Sequence, residues 1–359
     1  MKLNVIAAGG AGISISDKVV NKIAELGSGF ATVEKYFIDS SINNIDKIDH
    51  DANRFYKIKS SQVGAAEIAG AGGNRTNNVQ DVMVGVNEFL NKFKFTKPVT
   101  GEYVVVIFSG SGGSGSNIGS LLLKELMNRD IPAVAIMVGD SSSGEACVNT
   151  IGVLSGLDNI AKSIGKSVSL FYVNNHTMNK KQTKKESDLA ISQGEKEDRA
   201  NEQIFHFMVG LSLFTSGVNE SLDYSDVKTL LCPHNIKTFK SNLAPGVYNI
   251  CLTNDLNNLP DGFDVMLARS LTAEGENDVS LGDNILLSHK AGKVVDENAI
   301  ESCKGRLPIF LASTVNYLNK EVENLNTIAA NMVNIAKGIE NKTITSSVGD
   351  HDSESGLVF

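Results

Sequence analysis

Residues 103–116, YVVVIFSGSGGSGS, constrain the fold more than any other stretch of the chain. An unbroken apolar run, Val104 to Phe108, is followed by a segment of only Gly and Ser, Ser109 to Ser116. Then comes NIGSLLLKELMNR, in which Ile118, Leu121, Leu122 and Leu126 recur at helical spacing. A continuous run rich in β-branched residues predicts a strand buried on both faces, the condition of a parallel sheet. Glycines at 110, 112, 113 and 115 let backbone N–H groups converge on one point without Cβ obstruction. The helix that follows aims its positive end at the same point. Strand, Gly/Ser segment and helix together predict a phosphate cradle.

The opening of the chain repeats this plan. Residues 3–8, LNVIAA, predict a buried strand; Gly9, Gly10 and Gly12 follow, then ISISDKVVNKIAEL as a helix and TVEKYFID as a second strand ending at Asp39. A βαβ unit with a glycine turn and an acidic strand end points to a dinucleotide-binding enzyme such as an NAD-dependent oxidoreductase. The fingerprint is incomplete, because Ile15 stands where the third glycine belongs. A third glycine cluster, AGAGGN at 69–74, precedes an amphipathic helix carrying Val79, Val82, Met83, Val86, Phe89 and Leu90. One dinucleotide fingerprint leaves the clusters at 69–74 and 109–116 unused; a triphosphate surrounded by several loops needs all three.

Bulk properties narrow the choice. The 359 residues, 42% hydrophobic, suffice for two domains. A net charge of −8 and the absence of Trp argue against a nucleic-acid or anionic-membrane footprint and against a base-stacking platform. Cys147, Cys232, Cys251 and Cys303 form no CxxC pair, as expected of free thiols in a reducing cytoplasm. No apolar run has the ~20 residues of a membrane span. The N-terminus MKLNVIAAGG runs straight into its glycines and predicts a strand, not a signal peptide.

Further along, IPAVAIMVG (131–139) predicts a strand and DSSSGEACVN (140–149) a turn into a helix with Glu145 and Asn149 on one face. These two fit a ribose contact or a solvated helix start. SVSLFYVNN (167–175) is a strand ending in Asn174 and Asn175, an amide pair that suits a base edge or plain turn chemistry. A basic cluster, Lys180, Lys181, Lys184 and Lys185, precedes a long helix over roughly 187–215 that carries Ile204, Phe205, Met208, Leu211 and Leu213. VNESLDYSDVKTLL then places Asp223 and Asp226 at a loop-to-helix start, where they fit an N-cap, a water-orienting pair or a cation site. From Cys232 onward prolines break the chain, and GVYNICLTNDL, FDVMLARSL and NILLSHK predict strands of a second unit. A last helix over 314–341 follows a 3–4 spacing through Val315, Leu318, Val322, Leu325, Ala329 and Met332. Four heptads suit a helix lying along its own domain better than a coiled coil. The tail, TITSSVGDHDSESGLVF, is acidic with an apolar tip, in the manner of a short docking peptide.

In motif order these residues resemble the tubulin/FtsZ superfamily of filament-forming GTPases, and within it the bacteriophage tubulins. The family's GGGTGSG loop is similar to Ser111-Gly112-Gly113-Ser114-Gly115-Ser116, with Ser in place of the first Gly and of Thr, and Asn117 in place of the last Gly. Gly70-Ala71-Gly72-Gly73-Asn74 matches the family's γ-phosphate loop, and Gly9, Gly10, Ala11, Gly12 and Ser14 match its first loop. Asp39 matches the acidic end of strand two, Glu145 and Asn149 the ribose helix, Asn175 the guanine-facing strand end, and Asn201 the Asn of the central helix. LDYSDV (222–227) is similar to the family's acidic loop, though Ser221 stands where FtsZ has an Asn.

The resemblance implies an α/β fold with a Rossmann-type parallel sheet as GTPase domain (1–194). A central helix (195–217), an acidic loop with its helix (218–232) and a smaller α+β domain (233–313) follow, then a C-terminal helix (314–342) and an assembly tail (343–359). It implies binding of GTP or GDP, with Mg²⁺ held by phosphates and water and Asp39 as the protein group available to it. Hydrolysis would be completed by Asp223 and Asp226 of the next subunit in a head-to-tail homopolymer, whose tail docks on neighbouring subunits. The expected setting is the cytoplasm of a bacterial host, where such a filament positions phage DNA. No membrane and no direct nucleic-acid partner are expected. A nucleotide-binding filament protein that does not hydrolyse remains a further alternative.

Overall fold

Successive residues of a strand face opposite ways, so a strand apolar at every position requires a hydrophobic layer on each face. The computed structural model, which describes residues 2–24, 30–48, 51, 54–59, 79–175, 192–215, 224–232, 244–253, 265–268, 309–312 and 319–334, has this arrangement. Strands β1 (Lys2–Ala8), β2 (Thr32–Asp39), β3 (Phe55–Lys57), β4 (Glu102–Ser109), β5 (Ala133–Gly139), β6 (Ser167–Asn174) and β7 (Gly246–Thr253) form a parallel sheet in the order 3-2-1-4-5-6-7. Beyond β7 the sheet continues antiparallel through β9 (Ile309–Ala312) to β8 (Val265–Ala268). The first half of β7 pairs with β6 and the second half with β9, so one strand joins the parallel sheet to the antiparallel ribbon.

Helices cover both faces. Val5, Val105, Ile107, Ile136 and Val138 point to a core shared with α1 (Gly9–Ala24), α5 (Gln193–Thr215) and α6 (Tyr224–Leu230). Ile6, Val104, Val106, Phe108 and Met137 point to the other, shared with α2 (Val79–Lys92), α3 (Ser114–Asn128), α4 (Gly144–Ile164) and α7, a helix over 319–334. Leu325 of α7 is fully buried there, with Val322, Ile328 and Ala329 beside it. The 3–4 spacing is thus used inside the subunit.

Several boundaries differ from the sequence expectation for physical reasons. The first glycines form no separate loop: α1 begins at Gly9, directly after β1. The central helix begins at Gln193, because Ser192 and Glu195 form a reciprocal capping box: the Glu195 carboxylate accepts from the Ser192 N–H at 2.8 Å and the Ser192 hydroxyl from the Glu195 N–H at 3.3 Å. Strands β3 and β9, of three and four residues, had no sequence signal long enough to mark them. The predicted strand NILLSHK, the basic cluster at 180–185 and the acidic tail lie outside the described residues. Cys147, Cys232 and Cys251 are free thiols, and burial pushes the Cys232 thiol up to about 11 and that of Cys251 up to about 12.

Where α3 crosses β4, a Cβ on Gly119 would fall within the Phe108 ring, against its Cγ, which the ring cannot swing away. Gly119→Ala gains about 1 kcal/mol of helix propensity and loses about 1–3 kcal/mol to overpacking. We expect a lower urea midpoint with an unchanged slope. An equal or higher midpoint would mean that the helix can lift off the strand at no cost.

Candidate functional site

The strand order reverses between β1 and β4: the chain moves outward from β1 to β2 and β3, then returns to β4 on the other side. In open α/β sheets the crevice outside the carboxyl ends of the strands at such a switch point is where ligands bind. Here it holds the two glycine segments that the sequence brought forward. Gly9 has φ +70°, a conformation that favours glycine, and a Cβ there would stand 2.5 Å from the Gly115 Cα. A Cβ on Gly115 would stand 3.0 Å from the Ala8 carbonyl oxygen. The two segments therefore touch backbone to backbone and form one surface.

Around this contact the Ser-rich segment is braced. The Ser109 and Ser111 hydroxyls are 3.0 Å apart, and the Ser109 hydroxyl accepts from the Ser111 N–H at 3.2 Å. Asn149 donates its amide to the Ser111 carbonyl at 3.0 Å, so α4 also braces the Ser-rich segment. The Ser116 hydroxyl turns inward and donates to the Gly113 carbonyl at 2.9 Å. No side chain caps the start of α3 at Gly113, and its first N–H groups, with the helix dipole behind them, suit an anion. Gly112 and Ser114 are half-buried, Ala11, Ser14 and Glu145 exposed.

Asp39 is placed differently from its sequence expectation. It is 2% exposed, and its carboxylate is bonded within its own turn. Oδ1 accepts from the Ser40 N–H at 2.7 Å and Oδ2 from the Asn44 amide at 3.1 Å. Burial raises its pKa, and the hydrogen bonds of Asn44, Ser40 and Ser41 pull it back down. The carboxylate that a dinucleotide enzyme offers to ribose is here directed into the protein. Of the amide pair, Asn174 is structural: its Nδ2 donates to Glu321 of α7 at 3.1 Å and its Oδ1 accepts from Ser141 at 3.3 Å. Asn175 is half-buried at the end of β6, its N–H bonded to the Gly139 carbonyl at 3.0 Å. Asn201 is half-buried on α5, which packs along α1. Gly70 to Asn74 and Asp223 lie outside the described residues.

The second predicted constellation sits at the opposite end of the sheet. Asp226 belongs to α6, which Val227 and Leu231 anchor in the core and whose Tyr224 ring lies 5.4 Å from that of Tyr103. Ser169, at the start of β6, donates to the Leu231 carbonyl at 2.9 Å. Lys228 pairs with Asp130 at 2.9 Å, just before β5, and holds that carboxyl below its usual range. The glycine segments lie where the strands end and α6 where they begin, roughly 20–25 Å away for strands of this length.

Sequence reasoning missed Ser40, Asn44, Ser141 and Glu321. For Ser40 and Asn44 the signal was the polar run SSINN directly after a strand, which is also ordinary turn composition. Glu321 accepts from both Tyr172 and Asn174, at 3.0 and 3.1 Å. Glu321→Ala removes an acceptor that two buried side chains share and should cost about 1–3 kcal/mol in a denaturant melt. Glu321→Gln, which keeps an acceptor oxygen, should recover part of it; equal losses would locate the effect in helix packing instead.

No family profile matches the chain. A curated relative described as a phage tubulin-like protein, from Pseudomonas phage PhiPA3, is 27% identical over 139 residues, which are 39% of this chain and 40% of that protein's length. Among solved structures, the monomeric subunit of TubZ from bacteriophage PhiKZ superposes with a TM-score of 0.64 at 17% identity, covering 93% of this chain and 98% of that one. The protofilament of the same protein gives 0.59 at 14% identity, over 99% and 95%. The GDP form of the phage tubulin PhuZ gives 0.62 at 18% identity, over 99% and 95%. The chain thus has the tubulin/FtsZ-type fold and is similar, in sequence over part of its length and in fold over nearly all of it, to the phage tubulins.

Proposed function

We propose that this chain is a tubulin-like GTPase that assembles head to tail and hydrolyses GTP at a site shared by two subunits. The observation that carries the reading is the separation of two half-sites across one sheet. The anion cradle stands at the strand ends, and the helix bearing Asp226 stands at the strand starts. One copy cannot bring them together, whereas a head-to-tail contact between copies does, and such a heterologous contact extends without closing. The solved GDP form of PhuZ and the protofilament of TubZ support guanine nucleotide and longitudinal assembly.

In this mechanism the backbone N–H groups at 9–12 and 111–115 hold the phosphates, joined by residues 70–74. Glu145 and Asn149 take the ribose, and Asn175 and Asn201 the base. The inward carboxylate of Asp39 does not fit a metal ligand. A Mg²⁺ would then be left to phosphate oxygens and water, and would neutralise charge on the phosphates. Asp226 of the adjoining subunit, with Asp223, orients the attacking water and accepts its proton; positioning and charge neutralisation supply most of the rate in phosphoryl transfer. The acidic tail would dock on a neighbouring subunit, and the filament would position phage DNA in the host cytoplasm.

Phosphate release should rise cooperatively with protein concentration above a threshold. Strict proportionality from the lowest concentrations would mean that a single subunit is competent. Asp226→Ala should assemble, read by light scattering, yet release phosphate on the order of 100-fold more slowly; normal turnover would move the catalytic role elsewhere. Removal of residues 349–359 should impair assembly with nucleotide binding intact, and equal assembly by the shortened chain would remove the tail from the scheme.

A further inference from the structure

One carboxylate carries α7 to the end of the sheet where the strands stop. Oε1 of Glu321 accepts from the Tyr172 hydroxyl at 3.0 Å and from the Asn174 amide at 3.1 Å, across 149 and 147 positions of sequence. The same Asn174 nitrogen lies 3.3 Å from the Tyr172 hydroxyl, and the Asn174 carbonyl accepts from the Ser141 hydroxyl at 3.3 Å. Tyr172, Asn174 and Ser141 are all buried. Ser141 belongs to the turn between β5 and α4, where the Ser143 hydroxyl caps the helix by accepting from the Ala146 N–H at 3.1 Å. The network thus ties α7, the last residue of β6 and the turn into α4. Seating α7 does not require it, because Val322, Leu325, Ile328 and Ala329 already pack on the core. What a satisfied buried network adds to apolar packing is a fixed orientation of its members.

Resting on the nucleotide reading above, we infer that Glu321 is a positioning residue for base selection: by holding Asn174, it sets the strand end from which Asn175 meets the base. Asn175 follows Asn174 directly, and its N–H is bonded to the Gly139 carbonyl of β5 at 3.0 Å. Its backbone is therefore held by β5 on one side and by the anchored Asn174 on the other. An amide side chain reads a base edge only when its position is fixed, since turning it end for end exchanges its acceptor and its donors. A carboxylate accepts and does not donate, so Glu321 gives the network a direction. The Asn174 amino group must face Glu321, and its carbonyl is left to receive the Ser141 proton. Without that acceptor Asn174 can turn end for end, and the strand end loses its anchor. Specificity is a difference of affinities, so the loss falls on the base that Asn175 is set to read. Glu321 itself touches no nucleotide atom in this scheme.

The test is displacement of a fluorescent GTP analogue from the full chain, kept below its assembly threshold, by GTP and by ATP. The two competitors share ribose and triphosphate and differ only in the base. Glu321→Ala should lower GTP affinity about three- to tenfold and ATP affinity less, so that the preference for GTP shrinks. Glu321→Gln, which keeps an acceptor oxygen, should restore both the affinity and the preference. In the Asn175→Ala background Glu321→Ala should add no further loss. Equal losses for GTP and ATP would make Glu321 a general support of the fold and overturn its role in base selection. Losses that multiply in the double variant would show that it acts by a route other than Asn175, and would overturn the inference while leaving the nucleotide reading intact. Should Glu321→Ala fail to fold, Glu321→Asp, one methylene short of both donors, takes its place with the same expectations. A wild-type chain that binds no guanine nucleotide removes the nucleotide reading and this inference with it.

Discussion

The site depends on one pairing. β1 and β4 run parallel in unbroken register from Lys2 opposite Glu102 to Ala8 opposite Phe108. Because they end at the same level, Gly9 and Gly115 meet backbone to backbone, and the helices that follow begin side by side. A register slip of one residue would turn every side chain of a doubly buried strand to the wrong layer. The cradle's geometry is therefore set by the cores on the two faces of the sheet. That explains how the Ser-rich segment keeps its shape: Ser109, Ser111 and Asn149 supply local bonds that hold it at the place the strands dictate.

The same sheet sets the distance between the glycine segments and α6. α3 starts at the cradle and ends beside Asp130, which pairs with Lys228 of α6. At 1.5 Å per residue its 15 residues span about 22 Å, the thickness of the sheet along the strands. The Asp130–Lys228 pair is largely exposed, so its own contribution is small. What fixes α6 is the burial of Val227 and Leu231 and the Ser169 bond to the Leu231 carbonyl. On the proposed reading, a rigid spacing is needed for one subunit to hold nucleotide at one end and serve its neighbour's at the other.

How much of this was legible in the sequence follows from the length of each signal. Long apolar runs and glycine clusters marked β1, β4, β5 and β6, the glycine segments after β1 and β4, and most of the helices, because burial on both faces leaves a period-free hydrophobic string. Strands β3 and β9 were not legible: three or four residues carry no period, and they are strands only because a neighbour is present to pair with them. The start of the central helix was legible in Ser192 and Glu195, a capping box that the apolar pattern alone misplaced. Asn174 and Asn175 are chemically equal in sequence. What separates them is Glu321, 147 residues away, which claims Asn174.

Asp39 carries the same lesson further, because its chemistry and its neighbours point in different directions. An acidic residue at the end of a second parallel strand suggests a ligand for ribose or for a cation. Its burial costs the charged form free energy, raising its pKa, and such a cost is sustained only where hydrogen bonds to the carboxylate offset it. Those bonds come from Ser40, Ser41 and Asn44, so the turn folds around the charge. A residue type that a sequence pattern assigns to the ligand can instead belong to the scaffold one layer behind it. The discriminating quantity is whether its lone pairs are already occupied. Here both oxygens are, one by the Ser40 N–H and the other by the Asn44 amide.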